Sequence, residues 1–293
     1  MQHIIIGYGY CGRYLADALL TQQQSVTAIA RCPTFALQQP RFTYLSADIT
    51  QTLPCDLSDA IVYYLIPPPP TGQKDTTLSA FLAHCKPRLR KLVYFGASSV
   101  YGHHNGQWVD EQSSCYIQTD RQHRRLDAEH QCHMFSQKYA IPCAILRVAG
   151  IYGAHRLPIT AIKQQQAVVN PQEAPFSNLI YVQDLARIAA IIGTNPNING
   201  IFNLADGMPQ KMYAMQLMVR TQLGLAPPNF ISLAEALAQA SPMMREFLTQ
   251  SKRLSVDKLA QALDNQLQVT SLAQAVKASL AEMPELGDLK IKH

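Results

Sequence analysis

The first twelve residues constrain the fold of this 293-residue chain more than any other segment. An apolar run, His3–Ile6, leads directly into the sequence GYGYCG, and a helical pattern follows. In such a motif the first glycine permits a tight turn, the second lets a pyrophosphate approach the backbone, and the third lets the helix pack on the strand. The helix N-terminus offers N–H groups and a positive dipole end to phosphates. The predicted phosphate-binding residues are Gly7, Gly9, Tyr10, Cys11 and Gly12.

The end of the second predicted strand, Val26–Ala30, indicates which dinucleotide is bound. NAD-binding folds place Asp or Glu about 20 residues after the glycines, on the ribose 2′-OH. Here Arg31 follows the strand directly. A guanidinium suits a 2′-phosphate, so we expect NADP, with NAD and a merely exposed arginine as the alternative. Asp48 stands where an adenine contact would fall, although a turn cap explains it equally well, and Ile66 and Pro67 complete the predicted cofactor residues.

Short apolar runs alternate with helical patterns through the first half of the chain, the rhythm of a parallel sheet with crossover helices. Continuously apolar strands are typical of a sheet that is covered on both faces. The predicted strands are His3–Ile6, Val26–Ala30, Phe42–Leu45, Ala60–Ile66, Lys91–Gly96 and Ala144–Val148. The predicted helices are Gly12–Gln22, Thr77–Lys86 and Thr119–Tyr139. We therefore predict the α/β class, a Rossmann doubly wound parallel sheet with a smaller, mostly C-terminal substrate domain.

Beyond Gly153 the alternation weakens. The elements predicted there are the helices Ile159–Val169 and Gln183–Ile192, a helix start within Ser251–Leu263, and the strands Asn178–Val182 and Ile201–Leu204. This pattern predicts a dinucleotide-binding domain of residues 1–155 and 178–206. A small substrate-binding domain would comprise residues 156–177 and 207–293.

Composition argues against several classes of protein. The net charge of +5 is mild for this length, and the basic run Lys86–Lys91 has no interleaved aromatic residues, so we expect no nucleic-acid partner. The seven cysteines are scattered and odd in number, which disfavours a disulfide framework and fits the cytoplasm. No apolar stretch reaches the ~18 residues of a membrane span, and the N-terminus lacks a signal-peptide pattern.

Six segments occur in the order seen in the extended short-chain dehydrogenase/reductases. They are GYGYCGRYLA at the start, SSVYG at Ser98–Gly102, RVAGIYG at Arg147–Gly153, NLIYVQDLARI at Asn178–Ile188, GIFNLADG at Gly200–Gly207 and SKRLSVDKL at Ser251–Leu259. The chain resembles the atypical branch of this superfamily of NAD(P)-dependent nucleotide-sugar epimerases and dehydratases. The resemblance implies a small-molecule substrate such as a nucleotide-sugar, and often a homodimer.

The catalytic positions of that family are altered here. Where the family has Ser or Thr, Tyr and Lys, this chain has Ala97, Arg121 and Arg125. Ala97 is counted back from Tyr101 of the VYG motif, and the two arginines are counted back from the family glutamate at Glu129. An arginine does not release its proton near neutral pH, so Arg121 cannot act as the general acid/base. Arg125 can still hold the nicotinamide ribose hydroxyls, the other task of the family Lys. The predicted catalytic residues are Tyr101, Arg125 and Ser98.

For the other polar residues, a structural role is better supported than a catalytic one. Those weighed as substitute acids or bases are Tyr116, Asp120, His123, His103 and His104. His130 and His133, with Cys132, lack a third convergent ligand, so no metal site is predicted. Arg147 and Arg156 flank the family's substrate loop, where basic residues meet a diphosphate, with a surface ion pair as the alternative. The chain is thus interpreted as an epimerase/dehydratase-type oxidoreductase, or else as a non-catalytic NADP-binding sensor or scaffold.

Overall fold

The computed structural model describes residues 1–32, 39–85 and 88–284, so part of the basic run at 86–91 lies outside the described residues. The strands, in chain order, are β1 (Gln2–Ile6), β2 (Ser25–Ala30), β3 (Phe42–Ser46), β4 (Ile61–Tyr64), β5 (Lys91–Phe95), β6 (Trp108–Val109), β7 (Cys143–Val148), β8 (Gly150–Tyr152), β9 (Val168–Val169), β10 (Phe176–Ser177), β11 (Leu179–Tyr181), β12 (Gly200–Leu204), β13 (Gln210–Lys211), β14 (Phe230–Ile231) and β15 (Arg253–Leu254). The helices are α1 (Tyr10–Thr21), α2 (Thr76–His84), α3 (Asp120–Tyr139), α4 (Ile159–Lys163), α5 (Val182–Thr194), α6 (Ala214–Leu223), α7 (Leu233–Gln239), α8 (Pro242–Thr249), α9 (Asp257–Ala262) and α10 (Leu272–Ala281).

Seven strands form one parallel sheet in the order β3-β2-β1-β4-β5-β7-β12. The predicted doubly wound parallel sheet is therefore confirmed. The chain starts in the middle and builds outward in both directions, so the strand order reverses between β1 and β4. In open sheets of this kind ligands bind at the carboxyl ends of the strands beside such a reversal.

Apolar side chains alternate between the two faces of the sheet because successive strand residues point in opposite directions. On one face, the rings of Tyr64 and Tyr94 pack with Phe81 of α2 and Phe135 of α3 in a fully buried cluster. On the opposite face, Tyr63 lies against α5, which in turn packs along α1. Each face of the sheet is thus covered by helices, as continuously apolar strands require.

The chain divides into two compact units. The first comprises residues 1–100, 115–148 and 182–204, and the second comprises the described residues of 101–114, 149–181 and 205–293. The sequence-based division has the same interrupted form but assigns residues 101–114, 149–155, 178–181 and 205–206 to the dinucleotide-binding domain. The difference arises because β6 pairs with β15 and β8 pairs with β11, all within the second unit.

The second unit is built from two-stranded ladders and short helices, and one predicted helix there was wrong in part. The helix predicted over Ile159–Val169 ends at Lys163, because the last two residues of that range form β9, which pairs with β14. The helix start predicted within Ser251–Leu263 is confirmed, since α9 begins at Asp257, shortly after β15. Within the described ranges, every helix is too short or too polar to cross a lipid bilayer.

Candidate functional site

The turn after β1 brings Gly7 against the exit of β4. Gly7 has φ +101°, a backbone conformation that favours glycine. A Cβ atom there would lie 3.0 Å from Ile66 Cγ1 and 3.1 Å from the Ile66 backbone nitrogen. The Gly7 amide donates to the carbonyl of Ile29 at 2.9 Å, which ties the turn to β2. Gly7 and Ile66 therefore meet where the strand order reverses, and Pro67 follows in an exposed position.

Gly9 and Gly12 have opposite surroundings. A Cβ atom on Gly12 would lie 2.7 Å from the Gly7 carbonyl oxygen, so α1 packs too closely on the turn to accommodate a side chain. A Cβ atom on Gly9 would meet no described atom within 4 Å. Gly9 is also exposed, so the space in front of its backbone is accessible to a ligand.

Helix α1 presents its N-terminus to that space. Its N-cap is Gly9, which has no side chain to hydrogen-bond the first turn, and the described first turn contains no acidic residue. Backbone N–H groups at a helix N-terminus carry partial positive charge, which suits a phosphate. The narrow turn at Gly7, the open space at Gly9 and the helix start at Tyr10 and Cys11 together fit the pyrophosphate of a dinucleotide.

Arg31 and Asp48 lie exposed beyond the carboxyl ends of β2 and β3. The Asp48 carboxylate accepts hydrogen bonds from the Thr50 amide at 3.0 Å and the Thr50 hydroxyl at 2.7 Å. These bonds lower the pKa of Asp48, and the charge of Arg31 lowers it further. Asp48 therefore caps a turn, the alternative given above, while its contact with adenine stays a prediction. Arg31 lies within electrostatic range of Asp48.

Helix α3 carries the arginines that stand at the family's Tyr and Lys positions. Its start is fixed by a capping box, in which Gln122 bonds reciprocally with Thr119, and the Gln122 amide also donates to the Ser99 carbonyl at 3.0 Å. Arg121 and Arg125 are half-buried. Burial raises the pKa of the Asp75 carboxyl, and the charge of Arg125 acts against that rise. Asp75, the N-cap of α2, is therefore within the electrostatic influence of Arg125.

The remaining catalytic candidates differ in accessibility. Ser98 begins the short 3₁₀ turn that follows β5 and is partly exposed. Tyr101, four residues after Ala97, is 0% exposed and packs edge-on against His104, with ring centroids 6.4 Å apart. A side chain without exposed surface cannot reach a substrate in this conformation. The catalytic role of Tyr101 therefore requires a rearrangement, whereas Ser98 requires none.

Arg147, expected near a diphosphate, is engaged inside the first unit. Its Nη2 and Nε donate to Glu129 Oε2 and Oε1 at 2.8 and 3.1 Å, and the two side chains are 5% and 3% exposed. Burial raises the pKa of Glu129, and Arg147 opposes the rise. The ion pair that was weighed as the alternative for Arg147 is present, but it is buried rather than on the surface. Arg156 is exposed, and its role stays a prediction.

The first unit also contains a cavity of about 570 Å³ beside this ion pair. It is lined by α3, β7 and the start of β12, and His130 and His133 lie on its rim. Among residues 1–32, 39–85 and 88–284, no three metal-ligating side chains converge on one point.

Sequence reasoning missed two buried polar groups, one in each unit. Asp75 caps α2 by accepting from the Leu78 amide at 2.9 Å. Lys252, in the second unit, donates to the Gly102 carbonyl at 3.0 Å, and burial lowers its pKa to about 8. The N-cap position of Asp75 before an apolar run could have been identified from the sequence. The Lys252 contact joins residues 150 positions apart and leaves no local signal.

Residues 73–205 match the model of the NAD dependent epimerase/dehydratase family. A curated protein of Bacillus subtilis, called an uncharacterized UDP-glucose epimerase, is 27% identical over 133 residues, which cover 42% of this chain and 42% of that protein. The match thus spans less than half of that relative.

Solved structures with the same fold extend over nearly the whole chain. A functionally unknown protein from Silicibacter pomeroyi superposes with a TM-score of 0.79 at 23% identity, covering 96% of this chain and 99% of that one. UDP-glucuronic acid 4-epimerase of Bacillus cereus, solved with NAD, gives 0.75 at 22% identity over 98% and 100% of the two chains. UDP-glucose 4-epimerase of Thermus thermophilus, also with NAD, gives 0.75 at 18% identity over 97% and 99%. The expected resemblance is confirmed: the chain resembles the NAD dependent epimerase/dehydratase family, matching its model over residues 73–205, and has the fold of UDP-sugar epimerases.

Proposed function

We propose that the protein binds a nicotinamide dinucleotide at the Gly7–Gly12 loop and acts as an NAD(P)-dependent oxidoreductase of the epimerase/dehydratase type. The observation that carries this proposal is the arrangement of the three glycines. Gly12 admits no side chain, Gly9 faces open space, and Gly7 turns tightly beside Ile66 at the reversal of strand order. Each feature matches a separate requirement of a bound pyrophosphate.

We propose NADP as the preferred cofactor. The two epimerase structures named above contain NAD, and NAD is the alternative here. Arg31 favours NADP because it is exposed directly after β2, where NAD-binding folds have a carboxylate for the ribose 2′-OH. A guanidinium at that position can form charge-assisted hydrogen bonds to a 2′-phosphate.

The proposed substrate is a nucleotide-sugar or a related small molecule. The names of the curated relative and of the epimerase structures support this class, since each specifies a UDP-sugar. Arg156 is the better candidate for a diphosphate contact, because Arg147 is already paired with Glu129. A homodimer and a cytoplasmic location stay predictions.

When bound at this loop, the cofactor would supply reversible hydride transfer with a substrate carbon. Among the residues of this chain, Arg125 would hold the ribose hydroxyls of the cofactor through its guanidinium. Ser98 lies partly exposed after β5 and offers a hydroxyl that can orient a substrate hydroxyl. Neither an arginine nor a serine is by its chemistry a general base at neutral pH. We therefore expect turnover well below that of an enzyme with a positioned general base, which typically contributes 10²–10⁴-fold.

A second candidate function is an NADP-binding sensor or scaffold without hydride transfer. The altered catalytic positions favour it: Ala97 lacks a hydroxyl, and Arg121 and Arg125 replace the titratable Tyr and Lys. The full burial of Tyr101 favours it as well.

A single-turnover assay separates the two functions. The protein is mixed with NADP or NAD and a panel of nucleotide-sugars, and cofactor reduction is followed by absorbance while products are identified by mass spectrometry. Reduction by the wild type that is lost in Gly9→Val supports the oxidoreductase. Tight cofactor binding without reduction or product supports the sensor or scaffold. Absence of cofactor binding rejects both.

A further inference from the structure

Three buried polar atoms lack hydrogen-bond partners at the carboxyl ends of β4 and β5. They are the hydroxyl oxygens of Tyr64 and Tyr94 and the Oδ2 atom of Asp75. All three side chains are 0% exposed. A buried polar atom without a partner is rare in folded proteins and calls for a physical explanation.

The three groups lie close together. Tyr64 and Tyr94 are register partners on adjacent parallel strands, and their rings stack with centroids 6.1 Å apart. Burial raises the pKa of both hydroxyls, and the nearby charge of Asp75 raises each further. Asp75 Oδ1 is held by the Leu78 amide, so its carboxylate has a fixed orientation. The two tyrosine rings are therefore neighbours. Asp75 caps α2, whose Phe81 packs on Tyr64 with ring centroids 5.1 Å apart, and its charge acts on both hydroxyls.

Their hydrogen-bonding capacities are complementary. Each phenol can donate one hydrogen bond, and the carboxylate oxygen can only accept when ionised. None of the three atoms has a partner within 3.5 Å, so a direct hydrogen bond between any two of them is excluded. A water molecule can accept two hydrogen bonds and donate two. Buried waters in proteins typically make about three hydrogen bonds to polar groups that would otherwise be unsatisfied.

We propose that Tyr64, Asp75 and Tyr94 form a buried binding site for one water molecule. The water accepts from the hydroxyls of Tyr64 and Tyr94 and donates to Asp75 Oδ2. No bond is made or broken apart from hydrogen bonds, and the chain itself supplies all the partners. The site explains all three unpartnered atoms at once.

The hydrated carboxylate also has a use in the proposed cofactor site. Helix α3 lies against Asp75, because the carboxylate of Asp127 on that helix accepts from the Asp75 amide at 2.8 Å. Arg125 lies two residues before Asp127 on the same helix, and its charge acts on both Asp75 and Tyr94. We assign to Asp75 the role of a positioning residue that provides the counter-charge for Arg125. This role rests on the proposed function, whereas the water site does not.

The water site is tested first without cofactor, by chemical unfolding. Tyr64→Phe and Tyr94→Phe should each raise the unfolding equilibrium constant about 2- to 10-fold, the usual effect of losing a buried hydrogen bond. The double variant should lose less than the product of the two effects, because both hydroxyls hold the same water. The matched control pairs Tyr94→Phe with Tyr63→Phe. Tyr63 lies on the opposite face of β4 and bonds His3 at 3.1 Å, so those effects should multiply.

Two results would overturn the water site. If either Tyr→Phe variant is as stable as the wild type or more stable, the hydroxyl that it lacks makes no hydrogen bond to water in the wild type, because removing an unsatisfied group is not destabilising. If the Tyr64 and Tyr94 effects multiply, the hydroxyls share no molecule. A high-resolution crystal structure of the wild type gives a direct readout. A density peak within hydrogen-bond distance of all three atoms is expected, and its absence contradicts the proposal.

The positioning role of Asp75 is tested by the Kd for NADP. Asp75→Asn keeps an effective N-cap on α2 but removes the charge, so it should raise the Kd severalfold in the wild type and leave it unchanged in an Arg125→Ala background. An unchanged Kd in the Asp75→Asn single variant rejects the positioning role. A wild type that binds no NADP rejects the proposed function instead, and the unfolding and density tests still stand.

Discussion

A Cβ atom on Gly12 would lie 2.7 Å from the carbonyl oxygen of Gly7. Gly9, between them, faces open space. The two later glycines of the loop are therefore required for different reasons. Gly12 is needed for the packing of α1 on the turn, whereas Gly9 is free to serve a ligand. Substitution at each position should separate folding from cofactor binding.

Gly9→Val should leave a folded protein that no longer responds to NADP, because its side chain fills the space proposed for the pyrophosphate. At a cofactor concentration of 100 times Kd, the free energy of unfolding of the wild type should rise by about 2.7 kcal/mol, which is seen as a rise in Tm of several degrees. The free energy of unfolding of Gly12→Val should instead be lower than that of the wild type by about 3 kcal/mol or more, even without ligand, since the backbone must move to accommodate the side chain. Thermal unfolding with and without NADP measures both. A full NADP-induced shift in Gly9→Val would place the phosphates elsewhere.

Arg31→Ala should reduce the preference for NADP over NAD. A charge-assisted hydrogen bond contributes about 1.5–3 kcal/mol, so the preference should fall about 10-fold or more. Calorimetric titration with both cofactors gives the ratio of Kd values. The matched control is Arg88→Ala, another exposed arginine, which precedes β5 and so lies at the amino end of the sheet. Equal ratios in the wild type and Arg31→Ala would exclude the proposed 2′-phosphate contact.

Local requirements explain which features could be predicted from the sequence. Each glycine of the loop is required by the atoms immediately around it, so the spacing of the glycines was enough to predict the turn between β1 and α1. The sheet was predictable because its strands are continuously apolar. The Glu129–Arg147 pair was not, since it joins two elements across 18 residues. The contact between Tyr64 and Tyr94 depends on the register of β4 and β5, which is not a local property. Likewise, β9 lies where the end of a helix was predicted, because it pairs with the distant strand β14.

Removing one member of the Glu129–Arg147 pair should be strongly destabilising. Glu129→Leu leaves a buried guanidinium without its counter-charge, and such losses are about 3–5 kcal/mol. Glu129→Leu combined with Arg147→Met should be more stable than Glu129→Leu alone, because neither charge remains buried. The control is Asp59→Asn, which breaks the Asp59–Arg90 pair, whose side chains are 75% and 47% exposed. The free energy of unfolding of this control variant should be within about 1 kcal/mol of the wild-type value in denaturant titrations. Similar losses for the two pairs would contradict the importance of burial.

His3 should make the protein sensitive to mild acid. Its side chain is 0% exposed, and burial lowers its pKa from 6.5 to about 4. Unfolded chains bind the proton first, so the free energy of unfolding should fall as the pH drops from about 6.5 towards 4, by roughly 2–3 kcal/mol. His3→Gln should lack this part of the decline, whereas the exposed His133→Gln should keep it. Denaturant unfolding at several pH values measures the difference between the variants. Identical slopes for the wild type and His3→Gln would show that His3 does not titrate there.

Any hydride transfer by this protein should proceed without the family's proton relay. Arg121 and Arg125 occupy the Tyr and Lys positions, and an arginine does not titrate near neutral pH. Arg125→Ala should therefore weaken NADP binding about 10-fold, through the lost ribose contacts, and leave the pH dependence of single-turnover reduction unchanged. Tyr101→Phe tests the alternative that a rearranged tyrosine has been recruited, and it should lower the rate only if that occurs. If Arg125→Ala abolished a titration seen in the wild-type rate, a proton-transferring group would depend on that guanidinium and the altered catalytic positions would need another explanation.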